Sequence, residues 1–304
     1  MKKFKLSFVL LAALLPLMAQ AKMKVIATTP DLGSIAEAIG GDKVEVTTLA
    51  RPTEDPHFVD AKPSFIVKLN RADALVEGGA ELEIGWLPRL LDDARNNKLE
   101  PGAPAHISAS QGIQLLEVPA TLDRSKGDIH AAGNPHFMTD PMNGKIVAQH
   151  IADSFSALDP KSSETYKANL KKFTGELDAK MGEWDKLLAP YKGQEVIAYH
   201  DSWPYFAKRF GLNIDMFLEP KPGIPPTPSH LAEVIIKMKQ NKDHVIIVDP
   251  YQNRKTADTV ARNTDATVVQ VTQFPGGVKG TEGGYIQMMD YLVKSIATAL
   301  GEKK

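Results

Sequence analysis

The sequence predicts an α/β protein made of two parallel-sheet lobes joined by one long, rigid connecting helix. Three observations carry this reading. Short apolar strand candidates alternate with amphipathic helix candidates; one helical stripe of about eight turns breaks the alternation near residues 160–190; and the same layout resumes after it. The 283 residues that follow residue 21 of the 304-residue chain also exceed the common domain size of roughly 100–150 residues. The expected division is a leader at 1–21, an N-terminal lobe at 22–159, the connecting helix at 160–190 and a C-terminal lobe at 191–304.

The leader begins with Lys2, Lys3 and Lys5, continues as an apolar run from Leu6 to Met18, and closes on Ala19-Gln20-Ala21, a small-x-small cleavage pattern. The run is shorter than the ~20 residues a spanning helix needs, so it reads as a cleaved secretory signal with no direct membrane insertion. The chain contains no cysteine, which excludes disulfides, thiolate metal ligands and a lipid anchor on a mature N-terminal cysteine. Without the leader lysines the formal charge of −1 becomes −4, with both signs interspersed. Nucleic-acid binding would need clustered Lys and Arg, and none stands out.

In the first lobe, Lys24–Thr29 is a strand candidate, and Pro30-Asp31 opens a helix carrying Leu32, Ile35, Ala36 and Ile39 that stops at Gly40-Gly41. Val44–Leu49 is the next strand, followed by the Pro-rich loop Arg51–Lys62 and a helix begun by Pro63. Ala74–Val76 is a strand, and Gly78-Gly79 turns into a helix expected over Glu83–Asn97. The stretch from Pro101 to Ala132 reads as irregular, with one strand candidate at Gln114–Val118. A helix then runs through Ile146, Val147, Ile151 and Phe155.

The connecting helix starts at Asp159-Pro160, with Asp159 expected as its cap. Tyr166, Leu170, Phe173, Leu177, Met181, Trp184 and Leu188 fall three or four apart and form its apolar stripe. The second lobe follows as strand Glu195–Tyr199, helix Ser202–Phe210, strand Ile214–Leu218 and the Pro-rich loop Pro220–Pro228. Helix Ser229–Asn241, strand Val245–Val248, helix Thr256–Arg262, strand Val268–Val271 and helix Tyr285–Leu300 complete it.

Three histidines recur at strand-to-loop junctions. His57 lies in Asp55-Pro56-His57-Phe58, His136 in Gly133-Asn134-Pro135-His136-Phe137-Met138-Thr139-Asp140-Pro141, and His200 in Tyr199-His200-Asp201. Proline disfavours helix in the residue before it, so His136 sits in a shaped turn, where site residues concentrate. The three are 79 and 64 residues apart, far outside local zinc-motif spacing. They converge only if each lies near the carboxyl end of a strand, where ligands bind in open α/β sheets. Three imidazoles with one oxygen ligand or water are a common zinc arrangement. An isolated loop histidine is more often a surface residue or a local hydrogen-bond partner; the repeated setting weakens that reading without abolishing it.

The segments DPHFVDAKPSFIVKLNRADALVEGGAELE, GNPHFMTDP, YHDSWPYFAKRFGL and EPKPGIPPTPSHL resemble, in order, the signature blocks of the zinc- and manganese-specific solute-binding proteins of bacterial ABC importers, often called cluster A-I. The resemblance spans nearly the whole chain after the leader. It implies two α/β lobes, a rigid connector and a metal held in the interlobe cleft. It also implies that His57, His136 and His200 are metal ligands, that the protein acts as a periplasmic monomer without enzymatic activity, and that its partner is a cognate permease in the inner membrane.

Manganese-type members of the resembling family place a carboxylate ligand in the loop after the last strand, where this chain has Thr272-Gln273-Phe274. The fourth position therefore stays open among Asp249, Glu282, His130 and water, with Asp249 as the leading candidate. Asp249 stands where the family carries a glutamate after a buried strand, and it either ligates or orients a histidine; an Asx turn before Pro250 is the structural alternative. Three imidazoles and at most one carboxylate suit Zn2+ better than Mn2+. Phe58, Phe137, Trp203 and Tyr205 adjoin these positions as possible cleft walls, with core packing the alternative and the favoured reading for Tyr205 and Phe206; Trp86 reads as core. A zinc hydrolase is disfavoured because there is no His-Glu-x-x-His helix and, apart from Asp249 and Glu282, no evident general base beside a histidine. The alternatives are a carrier of manganese or another divalent metal in the same family and, further off, a secreted metal-dependent adhesion protein.

Overall fold

The computed structural model describes residues 21–122, 127 and 130–302, so the leader, apart from its last residue Ala21, lies outside the described residues. A four-stranded parallel sheet in the order β2-β1-β3-β4 forms the first lobe. Its strands are β1 (Met23–Ala27), β2 (Val44–Thr48), β3 (Ala74–Glu77) and β4 (His106–Ser108). Val25 pairs with Val46 on one side and Ala74 on the other, and Leu75 pairs with His106. Because each crossover returns through a helix or loop on a sheet face, the inner strands are buried, as the unbroken apolar runs Val25–Ala27 and Ala74–Val76 require.

Helix starts follow the prolines. α1 (Pro30–Gly40), α2 (Pro63–Asn70) and α4 (Pro141–Leu158) each carry Pro in the first turn, where its missing N–H costs nothing. α4 is also capped by Asp140, whose side chain accepts from the Met142 N–H at 2.9 Å. The helix expected over Glu83–Asn97 is shorter, α3 (Leu87–Ala94), because the chain before it is committed to turns. Gly79, Ala80 and Glu81 have φ of 73°, 52° and 66°, a left-handed run incompatible with helix, and Arg95 at φ 50° ends α3.

Two further expectations in this lobe are corrected. β4 falls in the stretch read as irregular, while Gln114–Val118 forms no strand. The latter leaves the sheet for the other lobe: Leu116 N–H donates to the Tyr205 hydroxyl at 2.9 Å, and its carbonyl accepts from Asn134 N–H at 2.8 Å.

The connecting helix is α5 (Ser163–Leu188), 26 residues, about 39 Å at 1.5 Å per residue. It begins three residues later than expected, because 160–162 form a 3-10 turn; Asp159 instead accepts from the Tyr166 hydroxyl at 3.1 Å. Of the predicted stripe, Tyr166, Phe173, Leu177, Met181, Trp184 and Leu188 are buried, and Leu170 is partly so.

The second sheet runs β5-β6-β7, with β5 (Ile197–Ala198), β6 (Val245–Val248) and β7 (Thr267–Gln270). α6 (Pro204–Phe210), α7 (Pro228–Asn241), α8 (Arg254–Thr264) and α9 (Tyr285–Gly301) complete the lobe. The expected strand 214–218 survives as isolated parallel bridges, Glu195 to Asn213 and Ala198 to Phe217. Val196 N–H bonds Asn213 C=O and Ala198 N–H bonds Met216 C=O, so two steps along β5 face three along the segment. That extra residue is a bulge, which breaks the regular ladder.

Alternation along β5 and β6 divides the cores. Val196, Ala198, Val245 and Ile247 face the large core shared with the first lobe and α9, while Ile197, Tyr199, Ile246 and Val248 face a smaller core under α7 and α8. α9 also returns to the first lobe: Tyr285 N–H donates to Ser34 Oγ at 2.9 Å, and its hydroxyl to Met138 C=O at 2.8 Å.

Candidate metal centre

Two of the three histidines are presented by the same local device. In Asp55-Pro56-His57 and Asn134-Pro135-His136, the side-chain oxygen before the proline accepts the histidine backbone N–H, at 3.0 Å in each case. Such an Asx turn replaces the local backbone bond that proline cannot make, and sets the histidine at the apex. The Trp86 indole, buried as expected, anchors the first turn by donating to Pro56 C=O at 2.9 Å. His136 is anchored by its own carbonyl, which accepts from Thr139 Oγ at 2.9 Å. His200 needs no such turn, because only Tyr199 separates it from the end of β5.

The fold brings the three together. Ring centroids lie 5.1 Å (His57 to His136), 5.8 Å (His57 to His200) and 5.5 Å (His136 to His200) apart. One potential ligand atom from each lies within 4.8 Å of the others, and among the described residues this is the group of three or more such donors. The site opens into a cleft of about 450 Å3 bordered by residues of both lobes, including Asp55 and Glu81 on one side and Glu219 and Tyr251 on the other.

Partners at the outer ring nitrogens set the tautomers. His57 Nδ1 is 2.9 Å from Asp55 Oδ1, and His200 Nδ1 is 2.6 Å from Glu219 Oε2. An ionised carboxylate only accepts, so each Nδ1 carries the proton and each Nε2 presents a lone pair. His136 has no carboxylate partner; its ring is hydrogen-bonded by the Gln273 side chain, and its Nε2 is buried without a partner. Burial first, then the neighbouring His57 and His200, hold the His136 pKa well below the ordinary value, so this ring is neutral and ready to ligate. Burial also works against charge on His200, but Glu219 outweighs it and raises that pKa. Asp55 shows the reverse balance: burial would raise its pKa, and the bonds from His57 lower it overall.

The other expected residues divide clearly. Asp249 is buried beside the histidines but turned to Gln273: Oδ1 accepts the Gln273 backbone N–H at 3.2 Å and Oδ2 its Nε2 at 3.3 Å. Burial pushes its pKa up to about 7 against those two bonds. Gln273 Nε2 also donates to the Tyr251 hydroxyl at 3.1 Å, so its amide is oriented with Oε1 left for His136. Glu282 is exposed and accepts from Gly280 N–H at 2.8 Å, a local turn. His130 lies at the cleft, its ring 5.2 Å from that of His57. Phe58 borders the cleft and is 66% exposed, whereas Phe137, Trp203 and Tyr205 are core.

Sequence reasoning missed Glu219, Tyr251 and the structural role of Glu83. Glu219 was visible only as the start of a proline-rich loop. Glu83 is buried, and accepts from Thr28 Oγ at 2.6 Å, Gly78 N–H at 2.7 Å and Gly79 N–H at 3.2 Å. It thereby clamps the left-handed run 79–81, which at roughly 1–2 kcal/mol per non-glycine residue would not persist unaided. Burial, then Glu77, raises the Glu83 pKa to about 7.

The family described as ZnuA, zinc-uptake complex component A periplasmic, matches residues 25–299. The manganese ABC transporter substrate-binding lipoprotein PsaA of Streptococcus mitis is 27% identical over 319 residues, covering 99% of this chain and 100% of its own. The iron ABC transporter substrate-binding lipoprotein MtsA of Streptococcus pyogenes serotype M1 is 26% identical, covering 92% and 90%. A crystal structure of ZnuA superposes with a TM-score of 0.78 at 25% identity, covering 92% of this chain and all of that one. A manganese-bound periplasmic metal binding protein from Candidatus Liberibacter asiaticus superposes at 0.75 with 21% identity over 92% of this chain and all of that one, a likeness of fold. The chain belongs to the ZnuA family, whose members are the periplasmic metal-binding components of ABC metal transporters.

Proposed function

We propose that this protein captures zinc in the interlobe cleft, with His57, His136 and His200 as ligands, and delivers it to an inner-membrane ABC permease as an exported monomer. The observation that carries this reading is the donor set: three converging imidazoles, two of them backed at Nδ1 by carboxylates. Nitrogen donors in a small cluster suit zinc, whereas manganese prefers oxygen donors in greater number. Outer carboxylates on ligating histidines raise their basicity and hold their orientation. Asp249 acts from behind, through Gln273, to which both its oxygens are hydrogen-bonded.

A manganese carrier is the second reading, favoured by the name of the Streptococcus mitis relative. In this chain it would require Asp249 to leave Gln273 and enter the site. In vitro affinity does not separate the two readings, because zinc outcompetes manganese at almost any nitrogen site. Transport does. In a strain lacking the gene, growth under metal chelation should be restored by plasmid-borne protein together with trace zinc, and the His136→Ala form should fail. Rescue by trace manganese and not by zinc would reverse the assignment.

A further inference from the structure

We infer that His130 is the fourth nitrogen donor to the captured metal, a role resting on the three-histidine reading above. Three features favour His130 for the fourth position. Its ring lies 5.2 Å from that of His57 at a 31° tilt, a separation matching those within the histidine triad. It borders both the 450 Å3 cleft and the adjoining 290 Å3 cavity behind His136 and His200, so it stands between them with space on either side. Its ring is hydrogen-bonded by the Glu81 backbone carbonyl, which leaves the other ring nitrogen as a lone-pair donor. That is the arrangement Asp55 and Glu219 impose on His57 and His200.

The surrounding backbone is built to hold this residue across the cleft. Glu81, at the end of the clamped left-handed run, accepts the Ala131 N–H through Oε2 at 2.6 Å. Gly133 N–H closes a turn onto His130 C=O at 3.2 Å, and Asn134 N–H bonds Leu116 C=O at 2.8 Å. On the far side, Gly127 approaches the second lobe so closely that a Cβ there would stand 2.4 Å from Pro222 C=O. His130 thus adjoins backbone fastened to the first lobe through Ala131, while Gly127 approaches the second. Since His130 lies outside the group within 4.8 Å, ligation draws its side chain inward onto the metal. Asp249, the competing candidate, has both oxygens hydrogen-bonded to Gln273.

X-ray absorption at the zinc edge of the purified, zinc-loaded protein tests this directly. Four imidazoles are expected in the wild type, and three with one oxygen in His130→Ala; three imidazoles in the wild type would overturn the inference without help from any variant. Zinc release to a chelator should be faster from His130→Ala by at least the roughly tenfold that loss of an outer partner costs, and a rate within twofold of wild type would also count against it. Thermal melting of the metal-free variant controls for folding. If His136→Ala keeps wild-type zinc affinity, the three-histidine reading itself fails, and this inference falls with it.

Discussion

The two lobes share a plan and divide the chemistry differently. Counting the bulged segment 213–217 beside β5, both sheets have the parallel order second, first, third, fourth. The second strand leads to a proline-rich loop in each. In the first lobe that loop holds His57 with its own Asp55, a ligand candidate and its carboxylate two residues apart. In the second lobe His200 follows the first strand, and the carboxylate that orients it, Glu219, follows the bulged second one. Glu77 ends the third strand of the first lobe and Asp249 follows that of the second; the former pairs with His106 at 3.1 Å, away from the triad. One lobe therefore builds a complete histidine unit locally, while the other assembles it across neighbouring strands.

Removing a ligand breaks the comparison most severely. His57→Ala, His136→Ala and His200→Ala should each weaken zinc binding by more than about 100-fold in chelator competition, because outer partners alone are worth 10–100-fold. Losses that differ widely between His57 and His200 would show that the lobes contribute unequally.

Orienting carboxylates come next. Asp55→Ala and Glu219→Ala should each cost about 10–100-fold. Glu219→Gln retains an acceptor and should cost less. It also carries a pH signature: Glu219 raises the His200 pKa, and zinc needs the neutral ring, so wild-type affinity declines as pH falls through that raised value. Without the anion the ring protonates at lower pH, and the decline should move toward acid. An unmoved midpoint in zinc titrations from pH 8 to 5 would assign the proton elsewhere.

Gln273→Ala tests the third, uncharged support. A neutral hydrogen bond contributes about 1 kcal/mol, so zinc affinity should fall roughly fivefold, less than for either carboxylate.

The smallest expected effect on binding is that of Glu83→Gln, which addresses stability. Burial raises the folded-state pKa of Glu83 from 4.5 to about 7, so its stabilising contribution is full below about pH 4.5 and is lost as pH rises through about 7. That shift corresponds to roughly 3 kcal/mol across the window. Urea unfolding of the metal-free wild type should show this decline between pH 5 and 8, and the variant should show a shallower one. Equal slopes would indicate that the three donors keep Glu83 ionised throughout.

Most of the scaffold was legible because its signals are local. Prolines at 30, 63 and 141 start helices, and the stripe from Tyr166 to Leu188 reads at a glance. The failures were equally physical. β4 is three residues long and carries too little pattern to declare itself. Gln114–Val118 has strand-like composition but finds its partners in Tyr205 and Asn134. The early part of the expected α3 is overridden by Glu83, which holds a left-handed turn that composition alone would not suggest. Helix lengths and strand pairing depend on such distant partners.

By itself, the sequence determined the two-lobed parallel architecture, the long connecting helix and the three histidines, because periodicity, proline placement and the Asx-Pro-His turns act within a few residues. Only the tertiary structure decided what stands behind and beside those histidines. Glu219 reaches His200 from 19 residues away, Asp249 reaches Gln273 from 24, and His130 meets His57 from the far side of two strands. Tautomer, burial and the choice of outer partner are properties of groups brought together by folding, and no local pattern encodes them.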